Sequence, residues 1–263
     1  MSYISDFKSA PFSLFGVNGG VTSSDASLAT LVGVKFHTAD SRVFTIIQNG
    51  GTALTAGKLV QGPVSIGANH TGLTCATAAI GATQITVTLG GTAVTANQYA
   101  GGFAVVSAGT GIGQTLKIAS HPAQTSTSGT VVLTLEDALS VATAVSDSKV
   151  SLTLNQYGSP NGATYATSGC VISPTTATGP TIGVTVYPIP ATTATVLSYG
   201  FIQTSGPVAV LNDSATAIGL DVMPSSSVAG AVVTYAVATR NRIGTSTVAG
   251  ENTKCQIINL QLV

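Results

Sequence analysis

The chain has 263 residues, and its nine basic and nine acidic side chains give a formal net charge of zero. Charged residues are only 7% of it, against about 25% in an ordinary soluble domain, while the hydrophobic share of 44% is normal. That balance excludes a disordered polar chain, which lacks apolar residues, and a nucleic-acid binder, which needs clustered Lys and Arg.

Thr, Ser, Gly and Ala replace the missing charge, and Thr and Val favour strands while Gly marks turns. The composition therefore predicts an all-β protein with little helix, built as β-barrel or β-sandwich domains with an extended N-terminal arm. A neutral chain is weakly protected against association by charge repulsion. Burial against neighbours in an assembly removes the need for that protection; a neutral secreted domain fits the same numbers.

Residues 1–40 form the expected arm. The opening Met1-Ser-Tyr-Ile-Ser-Asp-Phe-Lys8 has no basic start followed by an apolar run, which predicts no secretory leader. Gly16, Gly19 and Gly20 loosen the segment, and Ser23-Ser-Asp25 can cap a short helix through Leu31. Tyr3, Ile4, Phe7, Phe12, Leu14 and Phe15 are anchors without a core of their own. They are the candidate partner-contact residues; folding back onto their own domain is the other reading.

A first β-domain is expected over 41–158. Gln84-Ile-Thr-Val-Thr-Leu89 and Lys149-Val-Ser-Leu-Thr-Leu154 alternate without a slip, and Val131, Leu133 and Leu135 make a third set. A period of two puts one face on a core. Further strands are predicted at 43–48, 57–61, 102–107 and 114–119, and one helical turn at Glu136-Asp-Ala-Leu139. Gly50-Gly-Thr-Ala-Leu-Thr-Ala56 recurs as Gly90-Gly-Thr-Ala-Val-Thr-Ala96. The echo reads as two equivalent hairpins of one barrel, or as coincidence.

Gly158-Ser-Pro-Asn-Gly162 and Ser173-Pro-Thr-Thr-Ala-Thr-Gly-Pro180 break the pattern and set a boundary near residue 160. A second β-domain is expected over 159–263, with strands at 182–187, 196–203, 207–212, 231–238 and 254–262, the last suited to completing a sheet.

Motifs for chemistry fail on inspection. Gly51 to Lys58 resembles a phosphate loop, but five residues separate its glycines and Leu59 stands where Ser or Thr must ligate magnesium. Gly109-Thr-Gly-Ile-Gly113 leads into a strand rather than a helix, so it reads as a hairpin turn. His37, His70 and His121 are isolated in sequence and read as polar loop residues, with His121-Pro122 a turn. No Gly-x-Ser-x-Gly elbow occurs, and Glu136-Asp137 is the sole adjacent carboxylate pair. Arg240 and Arg242, the densest basic pair, suit a solvated loop or one ionic contact. Cys75, Cys170 and Cys255 show no metal or redox spacing and read as buried small hydrophobes in a reducing compartment. No stretch has the length of a membrane helix, and the lack of Trp argues against an outer-membrane barrel. The expectation is no enzyme, no cofactor, no metal, no nucleic acid and no membrane.

Val34-Lys-Phe-His-Thr-Ala-Asp-Ser-Arg-Val-Phe44, Ala53-Leu-Thr-Ala-Gly-Lys-Leu-Val-Gln61 and Thr95-Ala-Asn-Gln-Tyr-Ala-Gly-Gly102 together resemble structural proteins of tailed bacteriophages. So do Gly200-Phe-Ile-Gln-Thr-Ser-Gly-Pro-Val-Ala-Val-Leu211, Ala217-Ile-Gly219 and Ser227-Val-Ala-Gly230. The resemblance implies a capsid decoration (cement) protein, made in the host cytoplasm and carried on the capsid surface of the virion. Its implied partners are the major capsid protein and itself, as a homotrimer. A head- or tail-fibre component, with 159–263 as a host-binding tip, is the alternative. The family supplies no catalytic residue.

Overall fold

The computed structural model describes residues 20–22, 29–158, 169–193, 196–236 and 240–262. It is all-β, as the composition predicts. The chain forms two compact units, Val64–Ala163 and the pair of segments Met1–Pro63 with Thr164–Val263. Before the excursion come β1 (Gly20–Thr22), β2 (Lys35–His37), β3 (Val43–Gln48) and β4 (Leu59–Gln61). The excursion contains β5 (Leu73–Thr74), β6 (Gln84–Thr88), β7 (Phe103–Ala108), β8 (Thr115–Ser120), β9 (Thr130–Leu135) and β10 (Lys149–Thr153). On return come β11 (Val171–Ile172), β12 (Thr181–Thr185), β13 (Ser198–Leu211), β14 (Asp221–Pro224), β15 (Val232–Thr234), β16 (Gly244–Ser246) and β17 (Cys255–Gln261).

The unit of residues 64–163 is a six-stranded antiparallel barrel in the order β5-β10-β7-β8-β9-β6. It draws almost closed where Cys75 bridges Val87. The alternating residues supply the inside: Ile85 and Val87, Ala104 and Val106, Leu116 and Ile118, Val131, Leu133 and Leu135, Val150 and Leu152 form one buried cluster. Each such aliphatic contributes about 1.5–3 kcal/mol on full burial. Leu139 on the β9–β10 loop and Tyr99 on the β6–β7 connection belong to the same cluster.

The other unit is one curved eleven-stranded sheet. Its spine is β13, which pairs with β1 and β12, with β3, and through its second half with β17. One cluster packs Leu59, Val184, Val208, Val210, Val222, Ile258 and Leu260. Another packs Phe44, Ile46 and Phe201 against Leu31 and Phe36.

Three expectations change. The break near residue 160 lies beside the return crossing, but residues 41–63, assigned above to the first β-domain, lie in the other unit. The cause is pairing: β3 hydrogen-bonds to β13 and β4 to β11 and β12, all beyond the break. Nor is all of 1–40 an arm, because β1 pairs with β13 and β2 with β3, and the Phe36 ring stands edge-on to Phe201 at 5.7 Å. Strands 196–203 and 207–212 are one strand. Pro207 does not stop it: Pro207 pairs with Asn259 in an unshifted ladder to β17. The register shift against β3 falls earlier, between Gln203 and Ser205, and there the Gln203 amide donates to the carbonyls of Ser205 and Pro207 at 2.9 Å each beside Gly206 at φ 89°. The short helix proposed after Ser23 falls mostly outside the described residues, and 136–139 is a bend rather than a helical turn.

The Gly-Gly-Thr-Ala echo is a folding device. Leu54 and Ile189 form an isolated one-residue bridge with two reciprocal backbone hydrogen bonds of 2.9 and 2.8 Å. Val94 does the same with Gln124, at 2.9 Å both ways. The left-handed residues Gly57 (φ 72°) and Asn97 (φ 57°) follow three positions later, the first leading into β4 and the second into the turn before β7. The two copies thus serve different units rather than one barrel. The clasp recurs where the sequence echo is absent, between Ala78 and Thr143 and between Thr216 and Gly250.

Candidate functional site

The six anchor residues Tyr3, Ile4, Phe7, Phe12, Leu14 and Phe15 lie outside the described residues. Among the described residues no group of three or more His, Cys, Asp or Glu side chains is placed to hold a metal ion. Glu136 is taken up in an exposed ion pair with Lys117 at 2.9 Å. Arg242 pairs with Asp221 at 2.8 Å, and Arg240 donates to the carbonyls of Pro174 and Thr175, so the basic pair is spent within its own unit. Gly109-Thr-Gly-Ile-Gly113 is the β7–β8 hairpin turn, and Gly51–Lys58 is clasp and turn. No helix among the described residues is long and apolar enough to cross a membrane. Cys75 and Cys170 are buried free thiols, whose burial raises them above the usual thiol range. Cys255 departs from the expectation: it sits on the outward-facing row of β17 and is exposed.

The five connections of the barrel divide between its two ends. At the base, where the chain enters β5 and leaves β10, a 3₁₀ turn at Gly67–His70 brings His70 against Tyr99. Thr92 offers a carbonyl 2.9 Å from Nε2 of His70, so Nε2 carries the proton and Nδ1 accepts from the Tyr99 hydroxyl. His121 is held in the opposite tautomer. Its Nδ1 donates to the Pro122 carbonyl at 2.8 Å, and its Nε2 accepts the Tyr99 backbone N–H at 3.0 Å. Both imidazoles are buried, and burial lowers both below the usual histidine range. Burial also raises the Tyr99 phenol. Protonating His121 would point an N–H at the Tyr99 N–H. Two histidines read from sequence as isolated loop residues therefore form one neutral, internally satisfied lock across 70, 99 and 121. His121 and Pro122, expected to form a turn, belong to neither a turn nor a strand.

The opposite end, the tip, is made by the β5–β6, β7–β8 and β9–β10 loops. These carry Ile80, Ile112, Val141 and Val145, which are 69%, 66%, 46% and 59% exposed. The loops are tied to one another. Gln114 donates from Nε2 to the carbonyls of Gly111 and Val141, and its Oε1 accepts from the backbone of Ser140 and Val141 at 3.0 Å each. Gly81 donates to the Leu139 carbonyl at 2.8 Å, and the Ala78–Thr143 clasp joins the first loop to the third. Asp147 accepts from the Thr110 N–H and hydroxyl at 3.1 and 3.0 Å. The tip is thus a braced platform bearing aliphatic side chains that no hydrogen bond or core contact requires. Sequence periodicity misses it, because these residues fall in loops between the alternating strands.

No family model matches this chain, and neither a curated protein nor a solved structure matches it.

Proposed function

We propose that the protein is a structural virion component that binds the outside of a phage capsid and stabilises it, acting as a decoration protein and not as an enzyme. The observation that carries the reading is the surface. Four aliphatics at the barrel tip of a chain of zero net charge, Ile80, Ile112, Val141 and Val145, stand from 46% to 69% exposed. Exposed aliphatics grouped on a braced surface mark a face made to be covered, and a chain with so little charge relies on that covering to stay dispersed. The resemblance of segments 34–44, 53–61, 95–102 and 200–211 to tailed-phage structural proteins supplies the kind of assembly.

A shell under outward pressure opens at its subunit joints. A protein seated across a joint adds buried interface, and a standard interface of about 1,600 Å² spans micromolar to picomolar affinity according to its packing. Self-association, as the proposed homotrimer, makes the second and third contacts effectively intramolecular. The N-terminal anchors Tyr3, Ile4, Phe7, Phe12, Leu14 and Phe15 are proposed as a second contact with the major capsid protein. Co-sedimentation of the purified chain with expanded, genome-free heads of the phage that encodes it tests the reading. Saturable, stoichiometric binding is expected. Binding to purified tails or host cells instead of heads would move the protein to the fibre class.

A further inference from the structure

We propose that the barrel tip formed by Ile80, Ile112, Val141 and Val145 is the face that seats on a protein partner whose own surface there is apolar with Lys or Arg at its rim. The proposal rests on the decoration reading and adds which surface docks and what chemistry it meets.

Three observations converge on the tip. The first is residue choice. The β7–β8 turn needs glycine at 109, 111 and 113, where φ is 74°, 84° and 91°. It has no need of Ile112, whose side chain points to solvent at 66% exposure. Ile80 is in the same position beside Gly81, which has φ 84°. The second is preorganisation. Gln114, the Ala78–Thr143 clasp and the Thr110–Asp147 bonds hold the three loops together before anything binds, which reduces the ordering that docking would require.

The third is charge, and it selects the occupant. Loops 76–83, 109–114 and 136–148 contain no Lys or Arg; Lys117 balances Glu136, which leaves the carboxylates of Asp137 and Asp147. Carboxylates around an apolar patch repel anionic lipid and nucleic acid, and they repel a second copy seated tip to tip. They attract a rim of opposite sign, as on a protein surface whose cations are not consumed at home.

The test uses the full chain and genome-free heads of the encoding phage. Ile80→Asp and Ile112→Asp change solvent-facing side chains, and Ile218→Asp applies the same chemistry at an aliphatic that is 67% exposed in the other unit. Circular dichroism first confirms that each variant folds. Affinity is expected to fall about tenfold for each tip variant and about a hundredfold for the double variant, with Ile218→Asp close to the parent. Parent-like binding by the double variant overturns the tip while leaving decoration standing. No binding by any chain overturns decoration, and the tip assignment with it. Two further outcomes overturn the choice of occupant. One is tip-dependent binding to phosphatidylserine-containing vesicles; the other is parent self-association that Ile112→Asp abolishes in sedimentation.

Discussion

Acid should loosen the barrel before it affects ordinary surface charge. At neutral pH the folded chain holds His70 and His121 neutral, each with both ring nitrogens committed. In the unfolded chain each imidazole has an ordinary pKa near 6.5. Burial lowers both in the folded state. Below about pH 6.5 the unfolded chain therefore binds more protons, and the free energy of unfolding falls as pH falls. Each group contributes at most about 1.4 kcal/mol per pH unit until its folded pKa is reached. Between pH 7.5 and pH 5 the barrel should therefore lose stability, by an amount set by how far burial lowers each histidine. Most carboxylates stay ionised in this window. Hydrogen exchange read by mass spectrometry on peptides from 84–153 reports the barrel separately from the other unit. His121→Gln keeps an acceptor for the Tyr99 N–H but does not titrate, so it should remove about half of the pH slope. A barrel equally protected at pH 7.5 and pH 5, or an unchanged slope in His121→Gln, would refute the assignment of the lock.

Other consequences can be checked on the purified chain. Gly102→Ala would place a methyl group 2.0 Å from the Thr153 carbonyl oxygen, where backbone meets backbone. It should destabilise the barrel by about 3 kcal/mol in urea unfolding, near the top of the range for overpacking. A thiol reagent should modify only Cys255 in the native protein and reach Cys75 and Cys170 on denaturation; fast native labelling of two thiols would contradict the burial pattern. Deleting residues 1–15 removes the six anchors and leaves the residues of β1 in the chain. If the anchors clamp the capsid, head binding should weaken severalfold, and unchanged binding removes the arm from the mechanism.

What the sequence displays is local. Strands β6, β9 and β10 were legible within a residue or two, because one face of each looks into the barrel and the period of two is unbroken. Where both faces are buried the signal fades: β3 has five consecutive buried residues, Phe44 to Gln48, and was recognisable only by its β-branched and aromatic content. Pro207 concealed the continuity of β13, because its ladder partner there, Asn259, lies far along the chain on β17. The excursion at Pro63 leaves no mark, because strand partnership is a long-range choice. The base lock was equally hidden: 29 residues separate His70 from Tyr99, and 22 separate Tyr99 from His121. The glycine echo was visible, but its meaning lay in the reciprocal bridges to Ile189 and Gln124, which share no sequence with it.

The most direct measurement of the central proposal is cryo-electron microscopy of genome-free heads mixed with an excess of the purified chain. Ordered density for both β-units is expected at symmetry-related positions on the outer shell, with the loops that carry Ile80, Ile112 and Val141 facing capsid protein. Bare shells under saturating protein, or density confined to the tail, would contradict it.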